Sequence, residues 1–75
     1  MSKFQLYDVV RVVQVPRDLR SLGPAKRVPR VGDTGAIVMA YDSPSEGYTV
    51  EAVTADGRTE WLMDFGPQDL ERLEK

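Results

Sequence analysis

Valine recurs along Leu6–Val15, at positions 9, 10, 12, 13 and 15, with Pro16 as a stop, and such β-branched density predicts the first strand. Apolar residues fall on both parities there, so this strand is expected to be covered on both faces over part of its length or to carry a bulge. The pattern then breaks. Pro16–Arg30 holds Pro16, Gly23, Pro24 and Pro29 and reads as one long loop, in which Asp18–Leu22 could form a helical turn closed by Gly23. Val31–Gly35 is a tight glycine-bracketed turn feeding Ala36–Tyr41, a nearly all-apolar run expected to be the central strand. Asp42–Gly47 is a turn cluster, and Tyr48–Thr54 is the next strand.

The strongest local signal is Asp56-Gly57, flanked by Ala55 and Arg58 and lying between two β-type runs. It predicts a two-residue type I′ hairpin loop, in which both central residues take positive φ. Counting outward pairs Ala55 with Arg58, Val53 with Glu60, Ala52 with Trp61, Val50 with Met63 and Tyr48 with Phe65. One face then carries Tyr48, Val50, Ala52, Trp61, Met63 and Phe65 and is expected to be core. The other carries Thr49, Glu51, Val53, Glu60, Leu62 and Asp64 and should look at solvent or at a partner. Gly66–Asp69 reads as a short helical turn, and Leu70 and Leu73 close the chain as a last short strand or frayed turn.

These elements predict an all-β fold, a small and strongly bent antiparallel barrel of about five short strands, with one long loop and a helical turn near the C-terminus. They are features of a Src-homology-3-like barrel, and closing the sheet removes aggregation-prone edges. A five-stranded oligonucleotide-binding-type barrel is the structural alternative. At 75 residues the chain has room for one domain, residues 1–75, with a modest core. Cysteine and histidine are both absent, which removes disulfides, thiolate nucleophiles, the usual zinc and iron–sulfur sites and imidazole acid–base chemistry. Neither a cofactor nor a bound metal is expected. No apolar run approaches the roughly 18 residues of a membrane span, and the start Met1–Leu6 does not read as a secretion signal, so the expectation is a cytoplasmic protein with no membrane partner.

The net charge of -2 conceals an asymmetry. Residues 1–31 hold seven cations against two carboxylates, and residues 32–75 hold three cations against ten. Either a charged partner or mutual neutralisation within one domain would account for it.

Gly32-Asp33-Thr34-Gly35-Ala36-Ile37, following Asp8-Val9-Val10-Arg11-Val12, resembles the glycine turn and preceding strand of KOW-type barrels in ribosomal and transcription-elongation proteins. The wider pattern, with Leu6-Tyr7-Asp8-Val9-Val10, Tyr48-Thr49-Val50-Glu51 and Asp56-Gly57-Arg58 added, more closely resembles a family of small bacterial Src-homology-3-like proteins of unknown function. Some of its members are encoded beside toxin-like genes. That resemblance implies a free-standing barrel with an accessory or immunity-type role. The cation-rich Pro16–Arg30 loop departs from the family pattern.

Candidate chemistry follows from these placements. Glu51, Glu60 and Asp64 share the second hairpin face, and an acidic stripe suits docking against a basic protein better than catalysis. The protein is therefore expected to be a non-catalytic binding module with a protein partner. The alternative is RNA or DNA binding through Arg17, Arg20, Lys26, Arg27 and Arg30, whose guanidinium groups suit phosphates. A third reading is self-association, basic loop to acidic face. Gly32–Gly35 lacks the lysine and following helix of a phosphate cradle and reads as a structural turn. Tyr7 and Tyr41 are candidates to line a peptide groove, while Tyr48 and Trp61 are assigned to the core.

Overall fold

The computed structural model describes residues 3–16, 27–42 and 45–73. Five antiparallel strands form one sheet: β1 (Val9–Val12), β2 (Thr34–Tyr41), β3 (Gly47–Val53), β4 (Thr59–Phe65) and β5 (Leu70–Arg72), in the order β4-β3-β2-β1-β5. A 3-10 turn, Pro67–Asp69, joins β4 to β5. The all-β fold, the strand number and the helical turn are as the sequence predicts, and β2 is central. In a flat sheet the two edge strands would stand about 19 Å apart, four strand spacings. A link of four residues, three of them in a 3-10 turn, spans only about 12 Å, so the sheet curls around its core.

The six hairpin residues assigned inward, Tyr48, Val50, Ala52, Trp61, Met63 and Phe65, are all buried. Val10, Val12, Ile37 and Leu70 meet them from the other strands, and Phe4 plugs the cluster from the N-terminal segment. Phe4 packs edge-on against Tyr48, centroids 5.2 Å apart, and its amide donates to the Tyr48 hydroxyl oxygen at 3.1 Å. That hydroxyl in turn donates to Glu46, which also accepts the Lys3 amide at 2.9 Å. Burial first, and then the Glu46 carboxylate, raise the Tyr48 phenol above its ordinary value. The Tyr48 hydroxyl and the Lys3 amide hold Glu46 below its own.

β1 is shorter than the valine run because bends consume both ends. The Tyr7 amide donates to the Ile37 carbonyl at 2.7 Å while the Ile37 amide donates to the Asp8 carbonyl at 3.0 Å, so two residues oppose one in a bulge. Beyond it Val10 and Val12 face the core and Val9 and Arg11 face out. Past β1, the Val13 and Gln14 amides both turn onto the Asp69 carbonyl.

The hairpin departs from the expected type I′ loop. Only Gly57 has positive φ, +87°, and the Gly57 amide donates to the Thr54 carbonyl at 2.9 Å. This is a type I turn followed by a left-handed glycine, held by Thr54, whose hydroxyl donates to Asp56 and accepts the Arg58 amide. The extra residue shifts the outer register: Val53 pairs with Thr59 rather than Glu60, and Ala55 does not pair with Arg58. From Ala52–Trp61 inward the expected pairing holds. The Asp18–Leu22 turn lies outside the described residues. Among the described residues, no helix is long and apolar enough to cross a membrane.

Candidate functional site

The curl of the sheet gives β2, β3 and β4 a convex outer face, and cross-strand pairing orders its side chains into rows. One row runs Val9, Ala36, Glu51, Leu62; another runs Met39, Thr49, Asp64. Glu51 and Asp64 therefore stand in neighbouring outer rows. Glu51 accepts the Thr59 hydroxyl at 2.6 Å, and Asp64 accepts the Thr49 hydroxyl at 2.5 Å. Neither carboxylate has an ion-pair partner among the described residues.

Glu60 has a different environment. It is the extra residue at the register shift, and its carboxylate accepts Arg27 Nε at 2.8 Å. Arg27 also donates from Nη1 to Asp33 Oδ2 at 2.7 Å, and that same oxygen accepts the Arg30 amide at 2.8 Å. The Arg27 hydrogen bond holds Asp33 below the usual carboxylate range, with a further contribution from the Arg30 amide. Asp33 and Glu60 in turn raise the pKa of Arg27. One of the five cations proposed for phosphate contact is thus engaged inside the fold. Arg30 is exposed, while Arg17, Arg20 and Lys26 lie outside the described residues. Arg11 likewise pairs with Glu71 across β1 and β5, so part of the charge asymmetry is neutralised internally.

Around the two carboxylates the face is apolar. The β2–β3 register shifts between Ile37 and Met39 and leaves Val38 unpaired; Val38 and Met39 are 39% and 57% exposed. Tyr41 closes the far end. Its ring lies over Gly47, and burial, then the charge and hydrogen bonding of Asp64, raise its phenol above the ordinary value. Tyr41 is therefore packed onto the sheet, whereas Tyr7 is 76% exposed.

The glycine turn is structural. Gly32 takes φ +97°, as the third residue of a type II turn requires, its amide donates to Val12 and the Asp33 amide donates to Arg30. Gly35 lies in β2, where an added Cβ would stand 2.7 Å from the Glu51 carbonyl oxygen. No cluster among the described residues could hold a metal ion. Sequence reasoning missed the Arg27–Asp33–Glu60 triplet; its one local part is the Asp33 carboxylate accepting the amide of Arg30, three residues earlier. It also missed Phe4, an isolated aromatic in a polar stretch that carries no periodic signal.

No protein-family model, curated protein or solved structure matches the chain.

Proposed function

We propose that the protein is a non-catalytic, Src-homology-3-like binding module whose outer sheet face takes a protein segment bearing both apolar and cationic side chains. One observation carries this reading: Glu51 and Asp64 are satisfied by hydroxyl groups alone among the described residues, beside exposed Val38 and Met39. A carboxylate bonded only to hydroxyls keeps its charge for an incoming cation, and an apolar strip beside it supplies desolvated area. The strand order and the crossing from β4 to β5 through a 3-10 turn support the Src-homology-3-like assignment. An accessory or immunity-type role follows from the resemblance to small bacterial barrels.

The test is retention of proteins from native cell extract by the tagged wild type and by a Glu51→Gln/Asp64→Asn variant, with and without nuclease. Retention that survives nuclease and is lost in the variant supports the reading. Release of everything by nuclease transfers the function to RNA or DNA and to the basic loop. Mass that rises with concentration, with no other protein retained, leaves self-association.

A further inference from the structure

Among the described residues Phe4 is the one buried apolar core residue that lies outside the strands. Its segment is anchored by residues far along the chain. The Phe4 amide donates to the Tyr48 hydroxyl oxygen at 3.1 Å, the Lys3 amide donates to Glu46 at 2.9 Å, and the Lys3 carbonyl accepts Arg72 Nη2 at 3.2 Å. Lys3 Nζ donates to the Pro67 carbonyl at 3.2 Å, and the Arg72 guanidinium lies 5.9 Å from the Phe4 ring centroid. Glu46, Tyr48, the 3-10 turn and β5 thus form a built site that reads the backbone of a two-residue segment as well as its ring. The link from that segment to β1 is local and strained. The Asp8 amide donates to the Gln5 carbonyl at 3.1 Å and the Gln5 amide to Asp8 Oδ2 at 3.0 Å, closing a turn on itself. Inside that turn Tyr7 takes φ +72°, where an L side chain crowds its own backbone.

We propose that the segment Lys3–Phe4 exchanges between two copies of this chain, each copy's Phe4 closing the core of the other through a hinge at Gln5–Tyr7. A second copy fits the site by construction, because it brings the same ring, the same two amides and the same carbonyl to the same partners. Closed and exchanged forms therefore share these contacts, and the hinge sets the balance between them. A short hinge under strain favours exchange. Opening it breaks the two Gln5–Asp8 bonds and releases Tyr7 from positive φ, while the Asp8 carbonyl keeps the Ile37 amide and holds β1 on β2. Extended, the three residues Gln5–Tyr7 span about 10 Å, which lifts Phe4 off its own sheet. The pairing is two-fold symmetric, so each dimer opens two hinges.

Analytical ultracentrifugation of the full chain, up to about 1 mM, reads the exchange. Tyr7→Val keeps the amide that bonds Ile37 but disfavours positive φ, whereas Tyr7→Gly removes the penalty. The dimer dissociation constant is expected to be about a hundredfold lower in Tyr7→Val than in Tyr7→Gly, about tenfold for each hinge. Isotope-labelled Phe4→Ala mixed with unlabelled wild type locates the contact by NMR. The Tyr48 ring signals of the labelled chain should move towards their wild-type positions, and unlabelled Phe4→Ala should leave them where they are. If Phe4→Ala does not fold alone, folded signals that appear on mixing are the same result. Glu51→Gln/Asp64→Asn should leave the dimer fraction unchanged, which separates exchange from association through the outer face. A single-copy mass in wild type and Tyr7→Val alike, equal dissociation constants for the valine and glycine variants, or labelled signals that do not respond to wild type would each overturn the proposal.

Discussion

Arg27 and Glu60 stand 33 residues apart in sequence and meet at 2.8 Å, Nε on Oε2. The other arm of the same guanidinium reaches Asp33, so the end of the long loop is tied both to the turn before β2 and to the bulge in β4. Asp33 is held below its ordinary value of 3.8 chiefly by the Arg27 hydrogen bond. The folded state then binds fewer protons at this site than the unfolded state as pH falls. Its contribution to stability is present above the ordinary carboxylate range and is lost as pH drops through the lowered value, below about pH 4. Urea unfolding between pH 3 and pH 7 should show this as a falling midpoint (about pH 4 and below). Asp33→Asn should lower stability at neutral pH and flatten the acid limb, leaving the part due to Glu46. An unchanged acid limb in that variant would show that the triplet contributes nothing.

Tyr41 and Gly47 face each other across β2 and β3 so closely that a Cβ on Gly47 would lie 2.6 Å from two ring carbons and the hydroxyl oxygen of Tyr41. Gly47→Ala must swing the ring off the sheet and away from Asp64. The expected cost is about 1–3 kcal/mol, the usual size of an overpacking effect. The same variant should return the Tyr41 phenol towards its ordinary value, because burial and Asp64 are what raise it. Ultraviolet titration of tyrosinate reads this directly. Stability loss without any movement of the tyrosine titration would mean that the ring stays in place and the backbone yields instead.

The hairpin discriminates between two turn geometries by a pair of substitutions. In a type I′ loop both Asp56 and Gly57 would need positive φ, so alanine would be costly at either position. Here only Gly57 has it. Gly57→Ala is expected to cost about 1 kcal/mol from left-handed strain, and Asp56→Ala only the smaller loss of its contact with the Thr54 hydroxyl. Equal costs in chemical denaturation would contradict the observed turn.

What was legible in the sequence follows a physical rule. The inward face of β3 and β4 could be read because a period of two is imposed along the whole strand by burial, and six side chains from Tyr48 to Phe65 agree on it. The bulges at Val38 and Glu60 could not, and the mixed parity of Leu6–Val15 allowed a bulge without placing it at Tyr7. Each is fixed by one or two backbone hydrogen bonds that leave little trace in hydrophobicity. Glu60 shows the consequence for the site, since one inserted residue separates its carboxylate from Glu51 and Asp64 and delivers it to Arg27. Apolar Ala36–Tyr41 was rightly placed at the sheet centre, but the exposure of Val38 and Met39 depended on that irregularity.

Trp61 reports on the core. It is 1% exposed, packs edge-on against Phe65 with centroids 5.8 Å apart, and its indole Nε1 has no hydrogen-bond partner among the described residues. A buried donor without a partner costs about 1–3 kcal/mol, so part of what the indole gains by burial is offset. Trp61→Phe removes that donor while keeping much of the apolar volume, and is expected to destabilise by about 1–2 kcal/mol. Trp61→Ala, which empties the site, should cost about 3–5 kcal/mol. In the native protein the emission should be blue-shifted and resist acrylamide, moving red only with global unfolding. A red-shifted native spectrum quenched as readily as free tryptophan would place the ring in solvent and contradict this core; a Trp61→Phe variant as unstable as Trp61→Ala would show that the indole N–H is satisfied after all.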